Sequence, residues 1–449
     1  MLKRGMQMTL TGLTVRIVVL SCALGAPRIW AAGAEKAGPV PTIHEAAARD
    51  ALPDRHHITI PTIDLSGEIN PADFKRHVVL AQGTEEEIWQ HPHMLLIPDG
   101  RTVFATWTFT HGGIGVYMKR SDDGGRTWSE LLEVPENWST TTNCPTVHRL
   151  VDPQGKSRLV VFARADRRTR AFVRSISGDG GKTWSPMEPA GFRGVVPPMT
   201  VLSVEGINGK YRTWTHDGGN VLQCESINGG LTWSKQTRTV DKSRFPNSNP
   251  CEPEVIRSPD GKQLLMLMRE NKRRYNSLWA VSDDEGKTWS KPKELPAALT
   301  GDRHTAVYAE DGRLVVMFRN RRPVPKSESN HEKGGIPVWG SGKTTVWVGR
   351  YGDILEGREG QYLVSVLGYG GYGKLQRLPD GTILGITYCS YPYDPKGTGD
   401  GSSIVTTRFK LEETDALLTS GRQLVEYEGL KRPAEEGKEE DAQLLKENE

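Results

Sequence analysis

The chain has 449 residues, with 58 basic against 55 acidic side chains, a formal charge of +3 and a pI near 8.5. So even a balance supplies no basic face for nucleic acid. The length suits one repeat-built core with appended ends better than several independent domains.

Residues 1–34 read as an export signal: Lys3 and Arg4, an apolar stretch from Ile17 to Ala26, then the small-residue run Ala31-Ala32-Gly33-Ala34. Charged, apolar and cleavable segments in that order direct a chain to the periplasm or the medium. The apolar part is too short for a membrane span, so no integral membrane domain is expected. Residues 35–77, rich in proline and mixed in charge, are read as an N-terminal arm. His77-Val78-Val79-Leu80 is placed as the outer strand that closes the last repeat and removes its open edge.

Residues 78–412 carry a repeat: an apolar run, a Gly-centred turn and a second β-rich run, with turns at Gly100, Gly155, Gly209, Gly261, Gly312 and Gly381. Asp-Gly or Asn-Gly between alternating runs is a hairpin signal. A second motif recurs about every fifty residues, the length of one four-stranded blade. Its copies are Ser121-Asp122-Asp123-Gly124-Gly125-Arg126-Thr127-Trp128, Ser177-Gly178-Asp179-Gly180-Gly181-Lys182-Thr183-Trp184, Ser226-Ile227-Asn228-Gly229-Gly230-Leu231-Thr232-Trp233 and Ser282-Asp283-Asp284-Glu285-Gly286-Lys287-Thr288-Trp289. In each, Asp or Asn accepts backbone N–H groups of a tight turn, Gly supplies the positive φ and Trp buries a large apolar face. The fifth and sixth repeats lack this box; between Pro323 and Lys343 the fifth carries a polar insertion, read as a lid or binding wall. Residues 413–449 are read as a charged tail. Cys144, Cys224, Cys251 and Cys389 fit no zinc spacing and read as small buried hydrophobes, their pairing left open.

These boxes resemble the Asp-box, or BNR, repeats of the sialidase superfamily. The resemblance implies an all-β fold, a six-bladed β-propeller of four-stranded antiparallel blades, with the site at the centre of one face. The boxes mark the scaffold, not the reaction.

Strand alternation alone sorts the site candidates. The Gly-centred hairpins and the boxes lie on one face; the starts of the first strands and the ends of the second lie on the other. His91, Glu252, Arg303 and Tyr372 each stand eight residues before a turn Asp and are expected to converge on the axis. Gln90, His93, Asn143, Cys144, Glu254 and His304 stand nearby; His111, Arg164, His216, Arg269 and Arg319 are placed at the ends of second strands. Cys251-Glu252-Pro253-Glu254 is similar to the segment bearing the family's catalytic Glu, which falls on Glu252. The next strand ends at Arg269, the family's second carboxylate-binding arginine, and Tyr372-Gly373-Lys374 looks like the segment with the nucleophilic tyrosine, which falls on Tyr372. A neutral phenol needs an adjacent carboxylate to take its proton, and it avoids repelling an anionic substrate.

Three departures are visible. Gln90-His91-Pro92 replaces the family's first arginine motif, Lys343 stands where its third arginine falls, and His111 is the titratable residue where an acid/base Asp is expected. The resemblance implies an exported exo-glycosidase, sialidase-like, that removes an acidic sugar. Tyr372, Glu252 and His111 would be catalytic; Arg269, Lys343, Gln90, His91 and Arg303 would bind substrate. Alternatives are a polysaccharide lyase acting on uronates through Tyr372 and a histidine, or a noncatalytic glycan-binding propeller. No cofactor or metal is required. The expected partner is a glycan or acidic saccharide, and the oligomeric state is left open.

Overall fold

The computed structural model describes residues 58, 60–65, 76–84, 86–242, 248–272, 275–320, 342–390, 402–421 and 424–425. Residues 1–34, read above as an export signal, the insertion between Pro323 and Lys343 and the chain beyond residue 425 lie outside these. Six sheets form, each built on an antiparallel meander, so the six-bladed β-propeller expected from the repeats is the fold.

Blade one holds Trp89–Leu96, Val103–Phe109 and Tyr117–Ser121. Blade two holds Thr142–Val151, Ser157–Arg164, Ala171–Ser177 and Glu188–Arg193; blade three Val201–Ser203, Tyr211–Asp217, Asn220–Ser226 and Thr237–Val240. Blade four holds Pro250–Arg257, Leu264–Glu270, Leu278–Ser282 and Lys293–Glu294. Blade five starts with Gly301–Tyr308, Leu314–Asn320, Lys343–Gly349 and Tyr362–Tyr369, and blade six with Lys374–Arg377, Ile383–Ser390 and Ser402–Phe409. Lys374–Arg377 packs beside Trp89–Leu96, joining the last blade to the first.

Blades depart from four strands where local chemistry differs. Blade one has three regular strands; its outer edge is the irregular run 129–132, held by Ser129 N–H on Arg120 O at 2.8 Å and Leu132 N–H on Met118 O at 2.9 Å. Blade five has six, because Thr62–Asp64 pairs parallel to Tyr362–Tyr369 and Leu424–Val425 pairs with Thr62–Asp64. His77–Ala81 pairs antiparallel with Ser402–Phe409, so the segment before blade one supplies the fourth strand of blade six.

Each blade is sandwiched between two others, so its inner strands are apolar on both faces: Leu264, Leu265, Met266, Leu267 and Met268 are all buried. Even-numbered members of that run pack with Trp214 of blade three, and Leu265 and Leu267 pack with Val316 and Trp347 of blade five. The continuous apolar run is what a strand buried on both faces requires.

The four boxes share one geometry. The Ser hydroxyl accepts the N–H of the Gly four residues on at 2.8 Å in every copy. The Asp or Asn carbonyl-type oxygen accepts the Thr N–H at 2.8–3.0 Å. These bonds hold Asp123 and Asp284 down to about 2 against the opposing effect of partial burial. Boxes also reach the Gly-centred hairpins, as Gly229 N–H does to Gly209 O at 2.8 Å, which places both turn types on one face. In blades five and six short helices, Tyr351–Glu356 and Leu411–Ser420, follow the third strand where a box stands elsewhere. Asp353 starts the first by accepting the Arg350 N–H at 2.6 Å. The second docks on blade five through Asp415, bound by Arg313 at 2.8 Å and by the Tyr362 hydroxyl at 2.7 Å.

Candidate functional site

The first strands of blades one, two, four and five each carry a bulge, where pairing slips between Gln90 and His93, Thr142 and Thr146, Cys251 and Glu254, and Asp302 and Thr305. At each bulge a residue other than glycine takes a left-handed backbone: His91 (φ 55°), Asn143 (59°), Glu252 (51°) and Arg303 (54°). Such a backbone costs about 1–3 kcal/mol per residue and re-aims the side chain. Here it turns His91, Glu252 and Arg303 toward the neighbourhood of Tyr372. Tyr372 itself runs close over the second strand of blade six because its neighbours are glycines. A Cβ on Gly371 would lie 2.0 Å from the Tyr388 ring, and one on Gly373 would lie 1.9 Å from Ile386 O.

Arg269 Nη1 donates to the Tyr372 hydroxyl oxygen at 3.0 Å and to Glu252 Oε1 at 3.3 Å. Tyr372 and Glu252 therefore share one guanidinium nitrogen although 120 residues separate them. Arg319 Nη2 approaches the same phenol oxygen at 3.4 Å. Asp302, fully buried, holds both arginines: its Oδ1 is 3.0 Å from Arg269 Nε, and its Oδ2 is 2.7 Å from Arg319 Nη2. The Arg303 and Arg319 guanidiniums lie 5.2 and 4.9 Å from the centre of the Tyr372 ring. His91 stacks on that ring at 5.1 Å, and its Nε2 is 3.1 Å from His111 Nδ1.

Electrostatics divide the labour. Burial, reinforced by the Glu252 charge, pushes the Tyr372 phenol above its usual value, so it keeps its proton at rest. Burial alone would raise Glu252, yet Arg269, with Arg303 and His216, prevails and holds it below the usual carboxylate range. His91 and His111 are lowered, first by burial and then by neighbouring positive charge, so both are neutral at pH 7. The set is thus an ionised carboxylate, a protonated phenol and neutral imidazoles, within a ring of guanidiniums.

Several buried polar atoms here lack a protein partner: Arg303 Nε and Nη1, Glu252 Oε2, His91 Nδ1 and Gln90 Oε1. Buried polar atoms normally have partners, so these point to water or a polar ligand. Other expected residues are occupied elsewhere. Lys343 is 3.2 Å from Asp64, on the segment that extends blade five. Glu254 is bound by Lys374 Nζ at 2.6 Å and by the Thr200 hydroxyl at 2.6 Å. Gln90, in place of an arginine, makes only a 3.4 Å contact to the Ser402 hydroxyl. His216 accepts the Glu252 N–H at 3.1 Å and so supports the bulge. Asp302 was not singled out from sequence, and Arg319 was only one of many arginines at second-strand ends. The available signal was Asp302 standing directly before the axial residue Arg303. The four cysteines that follow residue 34 are buried and form no disulfide with one another, and burial lifts Cys224 and Cys389 to about 12. Among the described residues no trio of His, Cys, Asp or Glu is placed to hold a metal ion, and no helix is long and apolar enough to cross a membrane.

Fold and site together define an Asp-box propeller with titratable groups gathered round its axis. Residues 85–197 match the BNR repeat-like domain family and residues 280–291 the BNR/Asp-box repeat. A sialidase of Bacteroides fragilis is 26% identical over 314 residues, 61% of this chain and 54% of the relative, so the chain spans about half the length of the curated relative it matches. Among solved structures, an α-L-arabinofuranosidase from Fusarium graminearum aligns over 75% of this chain and 98% of its own, at 13% identity and a TM-score of 0.57. The NanB sialidase from Streptococcus pneumoniae aligns over 75% of this chain and 70% of its own, at 12% identity and a TM-score of 0.51. The chain is thus a six-bladed propeller that carries BNR repeats and is similar to sialidases.

Proposed function

We propose that the protein is an exported glycoside hydrolase that removes an acidic sugar from glycans, with Tyr372 as nucleophile and Glu252 as its base. The observation that carries this reading is the Arg269 nitrogen shared by the phenol and the carboxylate, at 3.0 and 3.3 Å. As the phenol oxygen bonds to the anomeric carbon, its proton passes to Glu252 and the aglycone oxygen departs with a proton from His111, a step open only to the fraction of molecules in which His111 is in its acid form. Water then attacks the anomeric carbon of the glycosyl-tyrosine and gives its proton to His111, while the carbon–oxygen bond to Tyr372 breaks and Glu252 returns the phenol's proton. Arg269 and Arg319 stabilise the oxygen of Tyr372 as charge grows on it. Arg303, with two unpaired N–H positions, is the guanidinium free to receive the sugar's anionic group. His111 is lowered below 6.5, so its acid form is lost, and turnover of substrates with poor leaving groups falls, as pH rises through that lowered value.

The test is a panel of 4-methylumbelliferyl glycosides of sialic acid, uronic acids and arabinofuranose. Glu252→Gln should lower turnover of an accepted substrate about 10²–10⁴-fold, and Tyr372→Phe should abolish it. A fluorinated substrate analogue should leave its glycosyl group on the peptide containing Tyr372. Labelling of another residue, or full activity in Tyr372→Phe, rejects the assignment.

The His91, His111 and Tyr372 row favours a second reading, a lyase that abstracts a proton beside a uronate carboxylate. Its product is unsaturated and absorbs in the ultraviolet. Reducing sugar released from polyuronates without that absorbance excludes it.

A further inference from the structure

Beside the axial site the surface carries an arginine cluster that the chemistry above leaves unused. The loop after the second strand of blade two reads Arg164-Ala165-Asp166-Arg167-Arg168-Thr169-Arg170, and Arg193 closes the same blade. Its position relative to the site follows from contacts. Arg167 Nε donates to Gly112 O at 3.1 Å. Gly112 follows His111, whose ring meets His91 at 3.1 Å, and His91 stacks on Tyr372.

The carboxylates that meet these five arginines are Asp166 and Asp217. Asp166 is spent on its own loop: Oδ1 accepts the Arg168 and Thr169 N–H groups, each at 2.6 Å, and Oδ2 accepts the Thr169 hydroxyl at 2.9 Å. Asp217 is shared between Arg170 and Arg193, the latter at 3.3 Å. The Arg168 side chain is exposed and has no partner among the described residues. The crowding has a cost, since Arg164 is lowered first by burial and then by the like charge of Arg170. Scattered surface arginines avoid such repulsion; a cluster that keeps it gains most when an anion arrives.

The loop is also held in place before any ligand binds. Arg164 donates to Asp166 O at 2.9 Å, Val195 O at 3.2 Å and Arg167 O at 2.6 Å. Preorganised donors lose less entropy on binding, and guanidinium forks match planar oxyanions.

We propose that loop 164–170 and Arg193 form a second, anion-binding subsite, which receives a further charged residue of a polyanionic glycan chain whose terminal sugar occupies the Tyr372 site. This rests on the hydrolase reading for the terminal sugar, but the subsite itself is defined by binding. Carboxylate and sulfate ester share the required chemistry.

The experiment measures binding by calorimetry in the full chain carrying Tyr372→Phe, so that turnover plays no part. The probes are a galacturonate hexamer, a heparin hexamer and neutral dextran. One or both anionic hexamers should bind with an affinity that falls as salt rises, and dextran should not bind. Arg168→Glu with Arg193→Glu should weaken that binding about tenfold or more, with an unchanged melting temperature. The milder Arg168→Gln should weaken it less, in the same direction. Preference for one hexamer identifies the anion. Equal binding by the charge-reversed protein, or no binding of either hexamer at low salt, overturns the subsite. Active wild type on small glycosides with no such binding sinks this inference alone. Salt-dependent hexamer binding in a protein inert toward every small glycoside sinks the hydrolase reading alone.

Discussion

Asp302 shows how one side chain can organise a site without meeting the substrate. It is fully buried on the first strand of blade five, and it forms ion pairs with Arg269 and Arg319 from opposite oxygens. Without it, two guanidiniums would point at one phenol oxygen with their mutual repulsion uncompensated; burial first, and then Arg269, lower Arg319, and Asp302 with Tyr372 outweighs them. Breaking a buried ion pair by removing one partner costs about 3–5 kcal/mol, because the other charge stays buried and unpaired. Asp302→Asn keeps the volume and removes the charge. Urea unfolding should therefore show a loss of about that size, accompanied by reduced activity on small glycosides. A loss below about 1 kcal/mol would mean that Glu252 alone neutralises the pair.

At the scale of elements, the closing strand and the boxes make an instructive contrast with the bulges. Leu80 of His77–Ala81 is buried in the cluster of Met94, Trp107, Leu378, Leu384 and Ile404, and so ties the closing strand to blades six and one. Leu80→Ala should cost about 2–5 kcal/mol, read as a lower urea midpoint, and should raise aggregation by loosening the cover over an open edge. An unchanged midpoint would show that closure depends on backbone pairing alone. The boxes were legible in the sequence because each encodes its whole turn within eight residues, hydroxyl, carboxylate or amide, glycine and tryptophan together. The hairpin turns were legible for the same reason. The bulges were not, since a left-handed His91, Glu252 or Arg303 carries no glycine to announce it. Periodicity nevertheless put these residues at one repeat coordinate, which is why convergence was foreseeable while the aim of each side chain was not. The helices Tyr351–Glu356 and Leu411–Ser420 escaped notice because each is short and stands where the repeat predicts a turn. Asp302 escaped for a physical reason too: a lone acid in a strand reads as solvent-facing until the partner arginines, from two different strands, are brought beside it.

For the whole molecule, the ring places imidazoles in a region that water scarcely reaches, and this couples stability to pH. Burial lowers His148 from 6.5 to about 3, with the Lys374 charge adding to it, and lowers His216 to about 4 despite the opposing Glu252 charge. His91 and His93 are lowered as well, again chiefly by burial. A group whose folded pKa lies below its unfolded value binds fewer protons in the native state at intermediate pH. Stability then rises with pH across the gap between the two values. The contribution of these histidines is complete above 6.5 and is lost progressively as pH falls from 6.5 toward about 4. Each contributes a slope of up to roughly 1.4 kcal/mol per pH unit. The box carboxylates act in a lower window, because Asp123 moves from 3.8 to about 2 and its stabilisation is lost only below 3.8. The two classes are therefore separable by titration. Urea midpoints should fall steadily as pH is lowered from 6.5 to about 4, and replacing His148 with Gln should flatten that limb without touching the steeper loss at lower pH. A midpoint that stays level across the histidine window would show that the axial imidazoles take up protons inside the folded ring, and that the channel is wetter than their burial implies.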